Sequence, residues 1–91
     1  MKVLAVDDST TILQMIKDTL SAENLDVIFC RNMLMYLESE VQHQIFATFY
    51  HSLKKSGYLV LGKAETIIGK PAELFEPLLS KERIYCKRVA T

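Results

Sequence analysis

The sequence predicts a small three-layer α/β domain with a mostly parallel sheet and one antiparallel strand at its C-terminal end. Three observations support this fold class. Short apolar runs lack alternation, which is typical of strands covered on both faces. Amphipathic segments with helical spacing separate these runs. The length of 91 residues suits one domain, so we expect residues 1–91 to form a single unit of half the usual size.

The first strand and helix are predicted at the start of the chain. Val3–Val6 is a continuous apolar run and predicts a strand. Asp7, Asp8 and Ser9 end this strand, and Ser9 is a suitable N-cap for a helix over residues 10–21. The apolar residues of that helix recur at helical spacing and are Ile12, Met15, Ile16 and Leu20.

A second strand and a second helix follow. Asn24 is a plausible turn residue, and residues 26–30 form another apolar run that predicts a strand. Residues 31–37 are compatible with either a short helix or an ordered loop. Ser39 and Gln42 have the spacing of a capping box, which predicts a helix that begins near Ser39 and ends near residue 55.

The end of the second helix and the third strand are predicted from residue types. Lys54 and Lys55 are expected in the last helical turn, where cations favour the helix dipole. Gly57 is expected to adopt the left-handed conformation after the helix. Residues 58–61 then read as a third buried strand that ends at Gly62.

The last third of the chain has weaker patterns. Pro71 can open a short helix, whereas Pro77 prevents a long one. Residues 83–89 mix polar and apolar side chains, which suits an antiparallel strand at the edge of the sheet.

Composition excludes several classes of protein. The formal net charge is zero, and nucleic-acid-binding domains are normally basic, so we expect no nucleic-acid partner. No apolar run approaches the roughly 20 residues of a membrane span, and the start of the chain lacks a signal-peptide layout. The chain has two cysteines, Cys30 and Cys86, which is too few for a disulfide scaffold. We predict that both are buried small side chains. We therefore expect a cytoplasmic protein with no membrane partner.

The balanced charge conceals an asymmetry along the chain. Residues 1–45 hold seven acids and three bases, whereas residues 46–91 hold four acids and eight bases. Segments of opposite sign can attract each other within the fold or between two copies of the chain.

The first twenty residues resemble one known family. Lys-Val-Leu-Ala-Val-Asp-Asp-Ser and the helix after it, residues 2–20, are similar to the first βα unit of response-regulator receiver domains. In that family the acidic pair helps to hold Mg²⁺, a hard cation that prefers carboxylate oxygens. The resemblance implies weak Mg²⁺ binding at Asp7 and Asp8. A solvated turn is the alternative role of this pair.

The rest of the chain resembles a different family. The stretch Cys-Arg-Asn-x-x-x-Tyr and the strand Gly-Tyr-Leu-x-Leu-Gly, within residues 25–91, are similar to chemotaxis-receptor glutamate methyltransferases, which use S-adenosylmethionine in a Rossmann-like fold. The resemblance implies that Arg31 and Asn32 lie beside the cofactor and that Tyr36 lies near the methyl-transfer position. Lys63 and Ala64 stand where that family has His-Ser.

Both resemblances are incomplete. The methyltransferases have a glycine-containing turn after the first strand, but Asp7, Asp8 and Ser9 occupy that position here. Two carboxylates at this position would repel the carboxylate of the methionine moiety. Alignment with the receiver family places Arg31 where its phosphorylated aspartate would stand. We therefore treat Arg31, Asn32 and Tyr36 as remnants of a site.

These observations predict a catalytically inactive hybrid of a receiver fragment and a chemotaxis methyltransferase fragment, joined either by engineering or by a natural gene fusion, in a half-domain of the Rossmann-like or flavodoxin-like type. Its receiver-like unit would span residues 1–23 and its methyltransferase-like segment residues 24–91, with a junction within residues 20–25. We expect no enzymatic activity and no cofactor, with S-adenosylmethionine or Mg²⁺ only as weak ligands. One alternative is a methyltransferase remnant that binds an adenosyl ligand or a chemotaxis partner, and another is a degenerate Mg²⁺-binding receiver.

The two families predict the order of the strands in the sheet. In both folds the first strand lies next to the second, so we expect the spatial order first, second, third, with the last strand antiparallel beyond the third. The first strand then forms an apolar edge, and such edges pair with other strands. The sequence therefore predicts a homodimer through residues 2–6.

Overall fold

The computed structural model describes residues 1–7, 11–62, 65–67, 69–79 and 82–89. The chain forms five strands and two α-helices, with short 3₁₀ turns at Leu34–Tyr36 and Lys70–Glu73. The elements are β1 (Val3–Val6), α1 (Ile12–Leu20), β2 (Leu25–Cys30), α2 (Ser39–Ser52), β3 (Leu53–Leu61), β4 (Phe75–Leu79) and β5 (Ile84–Lys87). No helix in these ranges is long and apolar enough to cross a membrane.

The five strands form one mixed sheet in the order β1-β2-β3-β5-β4. Strands β1, β2 and β3 run parallel, β5 is antiparallel to β3, and β4 is antiparallel to β5. The predicted α/β class, the order of the first three strands and the antiparallel strand after β3 are confirmed. The edge position predicted for β5 is wrong, because β4 pairs with its outer side. Pro77 lies in β4, and a residue without an N–H is best accommodated in an edge strand.

Helix α1 begins two residues later than predicted. Its N-cap is Thr11, whose Oγ1 accepts a hydrogen bond of 3.1 Å from the N–H of Gln14. This bond satisfies one of the amide groups that the first helical turn leaves unpaired. Thr11 therefore takes the role predicted for Ser9, which lies outside the described residues.

Helix α2 begins at Ser39 as predicted, but without a capping box. Its N-cap is Glu38, which makes no capping hydrogen bond through its side chain. Gln42 instead points back to the preceding turn, and its Nε2 donates to the carbonyl oxygens of Leu34 (2.6 Å) and Leu37 (3.0 Å). The residue that sequence spacing assigned to a cap therefore fixes the segment between β2 and α2.

The junction between α2 and β3 also differs from the prediction. The helix ends at Ser52 and the strand begins at Leu53, so Lys54, Lys55 and Gly57 belong to β3. A Cβ on Gly57 would lie 3.0 Å from the carbonyl oxygen of Leu25. Gly57 is therefore required by close packing of two strands and does not end a helix.

All of the described helical elements pack on one face of the sheet. Phe46 of α2 makes edge-to-face contacts with Phe49 and with Phe75 of β4. Met15 of α1 joins the same buried cluster, together with Ile28 of β2. This single apolar core lies between the helices and the sheet.

The opposite face of the sheet remains exposed in the described part of the chain. We call it the open face. Val3 is 49% exposed, Phe29 38% and Tyr58 42%, although their neighbours along each strand are more buried. The three-layer arrangement is therefore not formed by the described residues, which make two layers. The reason is topological: both crossovers in the order β1-β2-β3 run in one direction, which places α1 and α2 on the same side.

Candidate functional site

The carboxyl ends of β1, β2 and β3 lie side by side along one edge of the sheet. Asp7, Arg31 and Gly62 follow these three strands. The N–H of Arg31 donates to the carbonyl oxygen of Val6 at 3.0 Å, which ties the end of β2 to the end of β1. In open α/β sheets this edge is the usual place for ligand binding.

The segment after β2 presents polar and aromatic groups at this edge. Arg31 and Asn32 are exposed, and Tyr36 is 77% exposed. Met33 and Leu34 between them are buried in the core and anchor the segment. Asn32 has a φ of 58°, a left-handed conformation that Asn tolerates better than most residues. Of the two predicted alternatives, the structure has an ordered loop with one 3₁₀ turn at Leu34–Tyr36.

A buried carboxylate holds this loop in place. Glu65 is 3% exposed and accepts four hydrogen bonds from backbone N–H groups. Its Oε1 accepts from Asn32 and Gly62, both at 2.9 Å. Its Oε2 accepts from Met33 at 3.0 Å and from Leu34 at 2.6 Å. A carboxylate that accepts several amide N–H groups is well satisfied despite its burial, because bonds to a charged acceptor are stronger than neutral ones.

Gly62 is necessary for this arrangement. A Cβ on Gly62 would lie 2.8 Å from Oε1 of Glu65 and 3.1 Å from the backbone nitrogen of Asn32. A larger residue would displace the carboxylate or the loop. The side chain of Glu65 thus joins the end of β3 to the loop after β2, and no space is left between this side chain and Gly62.

The thiol of Cys30 lies close to the same carboxylate. Burial raises the pKa of Cys30 to about 12, and the negative charge of Glu65 adds to this effect. The thiolate is the reactive form of cysteine, so Cys30 is chemically inert at neutral pH. Its predicted role as a buried small side chain agrees with its complete burial.

The structure brings together most of the residues that the sequence singled out. Arg31 and Asn32 lie on the Glu65-bound loop, Tyr36 is at its far end, and Asp7 lies at the adjacent strand end. Asp8, Lys63 and Ala64 lie outside the described residues. Among the residues that the structure does describe, no group of three or more His, Cys, Asp or Glu could hold a metal ion. Magnesium binding at Asp7 and Asp8 stays a prediction.

Sequence reasoning did not identify Glu65. In the sequence it is one of four acids in the second half of the chain, three residues after Gly62. Its role depends on contacts with residues more than 30 positions earlier. An acidic residue just beyond the end of a buried strand is the pattern that could have indicated this role. A carboxylate at such a position has less access to solvent.

Comparison with known proteins gives this edge a context. Residues 11–84 match the family model described as CheR methyltransferase, SAM binding domain. The chain belongs to this family. The match includes the loop after β2, Gly62 and Glu65, so the site lies within the family's SAM-binding region.

Several relatives are chemotaxis methyltransferases. The chain is 39% identical over 51 residues to chemotaxis protein methyltransferase Cher2 of Pseudomonas putida, which covers 56% of this chain and 18% of that protein. It is 36% identical over 59 residues to chemotaxis protein methyltransferase 1 of Pseudomonas aeruginosa, and this match covers 65% of this chain and 22% of that protein. It is 36% identical over 62 residues to the chemotaxis protein methyltransferase of Borreliella burgdorferi, and this match covers 67% of this chain and 22% of that protein. The chain thus spans about a fifth of the length of these relatives.

The comparisons correct one prediction and limit another. The prediction that the chain is not an enzyme is contradicted, because the CheR family and the named relatives are methyltransferases. The lack of a glycine turn after β1 was not sufficient to exclude the chain from an enzyme family. The family match also begins at residue 11 and therefore includes α1, which the division at residues 1–23 attributed to the receiver-like unit. The hybrid origin stays a prediction.

The residues at this edge fit an adenosyl ligand at one of its three strand ends. After β2, Arg31 and Asn32 are exposed and their side chains can donate hydrogen bonds, whereas Gly62 after β3 is buried against Glu65 and Asn32. After β1, Asp7 supplies a carboxylate that repels the carboxylate of a methionine moiety. The fit is therefore best for the adenosine part of S-adenosylmethionine.

Proposed function

We propose that this chain is the ligand-holding part of a chemotaxis-type methyltransferase and that it binds an adenosyl ligand of the S-adenosylmethionine class at the carboxyl edge of β1, β2 and β3. Membership of the CheR SAM-binding family supports the ligand class. The topology of the sheet supports the place, because ligands of open α/β folds bind outside the carboxyl ends of the strands.

The observation that carries this proposal is the loop fixed by Glu65. Three hydrogen bonds to one buried carboxylate hold the backbone from Asn32 to Leu34 before any ligand arrives, and a fourth connects the carboxylate to Gly62. A preorganised loop loses little conformational entropy on binding, which favours affinity. Arg31, Asn32 and Tyr36 are exposed along this loop, as a binding surface requires.

Each exposed residue has a chemical role in the proposal. Asn32 can both donate to and accept from a ribose or an adenine edge. The guanidinium of Arg31 can only donate hydrogen bonds. Tyr36 offers a ring and a hydroxyl at the end of the loop, the position that the family resemblance places near methyl transfer. S-adenosylmethionine itself would supply the activated methyl group.

The acidic end of β1 sets the expected affinity. Asp7 disfavours the methionine carboxylate, so adenosine should contribute most of the binding free energy. We expect a dissociation constant for S-adenosylhomocysteine of about 0.1 mM. Adenosine alone should bind within about threefold of that value, which corresponds to less than 1 kcal/mol.

Chemical-shift mapping by NMR tests this proposal. Titration of the ¹⁵N-labelled chain with S-adenosylhomocysteine should move the amide signals of Arg31, Asn32 and Tyr36, while those on the helical side of the core remain unchanged. Asn32→Ala should weaken binding at least fivefold, since it removes both hydrogen-bonding groups of the side chain. A titration to 5 mM (about fifty times the expected constant) that moves no signal at this edge would contradict the proposal.

Asn24→Ala is the matched control for this variant. Asn24 has a φ of 56°, almost the same as Asn32, but it precedes β2 and lies at the opposite edge of the sheet. Both substitutions place alanine in a left-handed conformation and cost similar stability. If both weaken ligand binding equally, the effect of Asn32→Ala arises from stability and not from the site.

The predicted homodimer through β1 is not tested by the comparisons and stays a prediction. Strand β1 does lie at the edge of the sheet, with Val3 half exposed.

A further inference from the structure

Two side chains from different elements bind the backbone of Leu34. Its N–H donates to Oε2 of Glu65 at 2.6 Å. Its carbonyl oxygen accepts from Nε2 of Gln42 at 2.6 Å and from the N–H of Leu37 at 3.0 Å. A carbonyl oxygen has two lone pairs, so both of its acceptor sites are used. Leu34 is thus fixed by a carboxylate that follows β3 and by a carboxamide from α2.

These two side chains divide the loop after β2 between them. Glu65 accepts from the amides of residues 32–34, at the start of the loop. Gln42 donates its second hydrogen to the carbonyl oxygen of Leu37 at 3.0 Å, at the end of the loop. The two bonds of Gln42 therefore lie on either side of Tyr36 in the sequence.

A carboxamide is well suited to the position of Gln42. Its NH₂ group carries two hydrogens, and each of them is donated to one carbonyl oxygen. A carboxylate of the same shape would have no hydrogen to donate and would place a negative charge against two carbonyl oxygens. Gln42 stands near the start of α2, which begins at Ser39, so these bonds attach the loop to a regular element.

The position of Tyr36 depends on the backbone around it. Its side chain is 77% exposed, so contacts of the ring with the described residues do little to hold it. The side chains of Leu34 and Leu37 pack on the core and offer an alternative means of fixing the turn. Apolar contacts are not directional, however, whereas two hydrogen bonds from one planar amide fix both the position and the rotation of the backbone.

We propose that Gln42 is a positioning residue for Tyr36, and that its two hydrogen bonds hold the turn of residues 34–37 so that Tyr36 meets the adenosyl ligand in one orientation. Glu65 performs the corresponding task for Asn32. This role rests on the proposed function, because it belongs to the same binding edge. A turn that is not held in advance must be ordered when the ligand binds, and this cost lowers the affinity. We expect Gln42→Met to weaken binding of S-adenosylhomocysteine about three- to tenfold.

The substitution Gln42→Met removes the two hydrogen bonds with little disturbance of the helix. Methionine is unbranched and has a helix propensity similar to that of glutamine, but it donates no hydrogen bond. Without ligand, ¹⁵N relaxation and hydrogen exchange should show greater motion at residues 35–37, while the amides of residues 32–34 remain ordered. On titration with S-adenosylhomocysteine, the shift of the Tyr36 amide at saturation should become smaller and that of Asn32 should persist.

Gln44→Met is the matched control. It makes the same chemical change at an exposed position two residues further along α2. It should leave the loop amides unchanged and should alter the affinity by less than about twofold. Gln42→Glu keeps the shape of the native side chain but has no hydrogen to donate, so it should weaken binding at least as much as Gln42→Met. Far-UV circular dichroism and the amide spectrum establish that each variant is folded.

A double-mutant cycle separates the positioning of Tyr36 from a general loss of order in the loop. If Gln42 acts through Tyr36, then Gln42→Met should change the affinity by less than about twofold in a chain that already carries Tyr36→Ala. The same substitution should keep its full effect in a chain that carries Asn32→Ala. A general loosening of the loop would instead weaken binding equally in both backgrounds.

Failure of this role and failure of the proposed function give different results. If the wild-type chain shows no shift at the binding edge, the proposed function is wrong, and the role of Gln42 in ligand binding is wrong with it. If the wild type binds but Gln42→Met binds equally well, with the same shift at Tyr36, only the role of Gln42 is wrong and apolar packing suffices to hold the turn. Unchanged motion of residues 35–37, or equal losses in the Tyr36→Ala and Asn32→Ala backgrounds, would also overturn it.

Discussion

Replacement of Glu65 by Gln isolates the charge of the buried carboxylate. The two side chains have the same shape, so packing is preserved. A glutamine, however, has one oxygen and one NH₂ group. Whichever way the amide is oriented, its NH₂ faces two backbone N–H donors, either Met33 and Leu34 or Asn32 and Gly62. Two of the four donors therefore lose their acceptor.

The expected cost follows from these lost bonds. A buried donor without an acceptor costs about 1–3 kcal/mol. The remaining two bonds become neutral and weaken further. We expect Glu65→Gln to lower the free energy of unfolding by about 2–5 kcal/mol. A domain of this length has about 5–14 kcal/mol in total, so the variant remains folded unless the stability of the wild type is near the lower end of that range.

Urea unfolding followed by circular dichroism measures this effect. For a chain of this size the slope is about 1 kcal/mol/M, so the midpoint should fall by at least about 2 M. Measurement at a low protein concentration of about 2 µM keeps self-association out of the comparison. Glu73→Gln is the control, because Glu73 is an exposed carboxylate in the turn Lys70–Glu73. It should change stability by no more than about 0.5 kcal/mol.

Two results would refute this reasoning. If Glu65→Gln lowered the free energy of unfolding by less than about 1 kcal/mol, the four buried hydrogen bonds would contribute little to stability. A loss equal to that of Glu73→Gln would mean that the charge has no specific role. If instead Glu65→Gln unfolds the chain, hydrogen exchange of the loop amides in a chain stabilised by osmolyte gives the same comparison.

Three further predictions concern other parts of the chain. Thr11→Ala removes the N-cap of α1 and should cost about 1 kcal/mol in urea unfolding. Hydrogen bonds from Lys54 and from a backbone N–H hold the pKa of Asp26 below its usual range. Their stabilisation is therefore present above about pH 4 and lost as pH falls through the lowered pKa, so acid unfolding of Asp26→Asn should have a shallower pH dependence. In a thiol assay at pH 8, Cys86 should react and Cys30 should not until the chain unfolds.

The order of the first three strands could be predicted because it depends on local patterns. Val3–Val6, residues 26–30 and residues 58–61 are apolar runs separated by segments of helical period, and short crossovers place such strands next to each other. Strand β4 could not be predicted in this way, because Pro77 and the charged residues around it suggest a break. Strand β4 pairs with β5 because the outer edge of β5 is free to form hydrogen bonds once β5 has paired with β3.

The limits of α2 and the role of Glu65 depend on tertiary contacts. Ser39 and Gln42 have the spacing of a capping box, yet Gln42 bonds to Leu34 and Leu37 because the preceding turn packs against the helix. Glu65 gains its function only when β3 lies beside β2. The sequence therefore predicted Arg31 and Asn32, which carry a family motif, but not the carboxylate that positions them.

The link between Glu65 and the loop after β2 has a consequence for the order of folding. The bonded amides of this loop belong to residues 32–34, but their hydrogen-bond acceptor, Glu65, comes more than 30 residues later in the chain. The loop amides therefore lack this acceptor until β3 has docked on β2, and a slow, long-range step must precede assembly of the proposed binding edge. No partly folded state that lacks β3 can hold a ligand there. A ligand added during refolding should leave the folding rate unchanged and slow unfolding, because it binds only after the rate-limiting step.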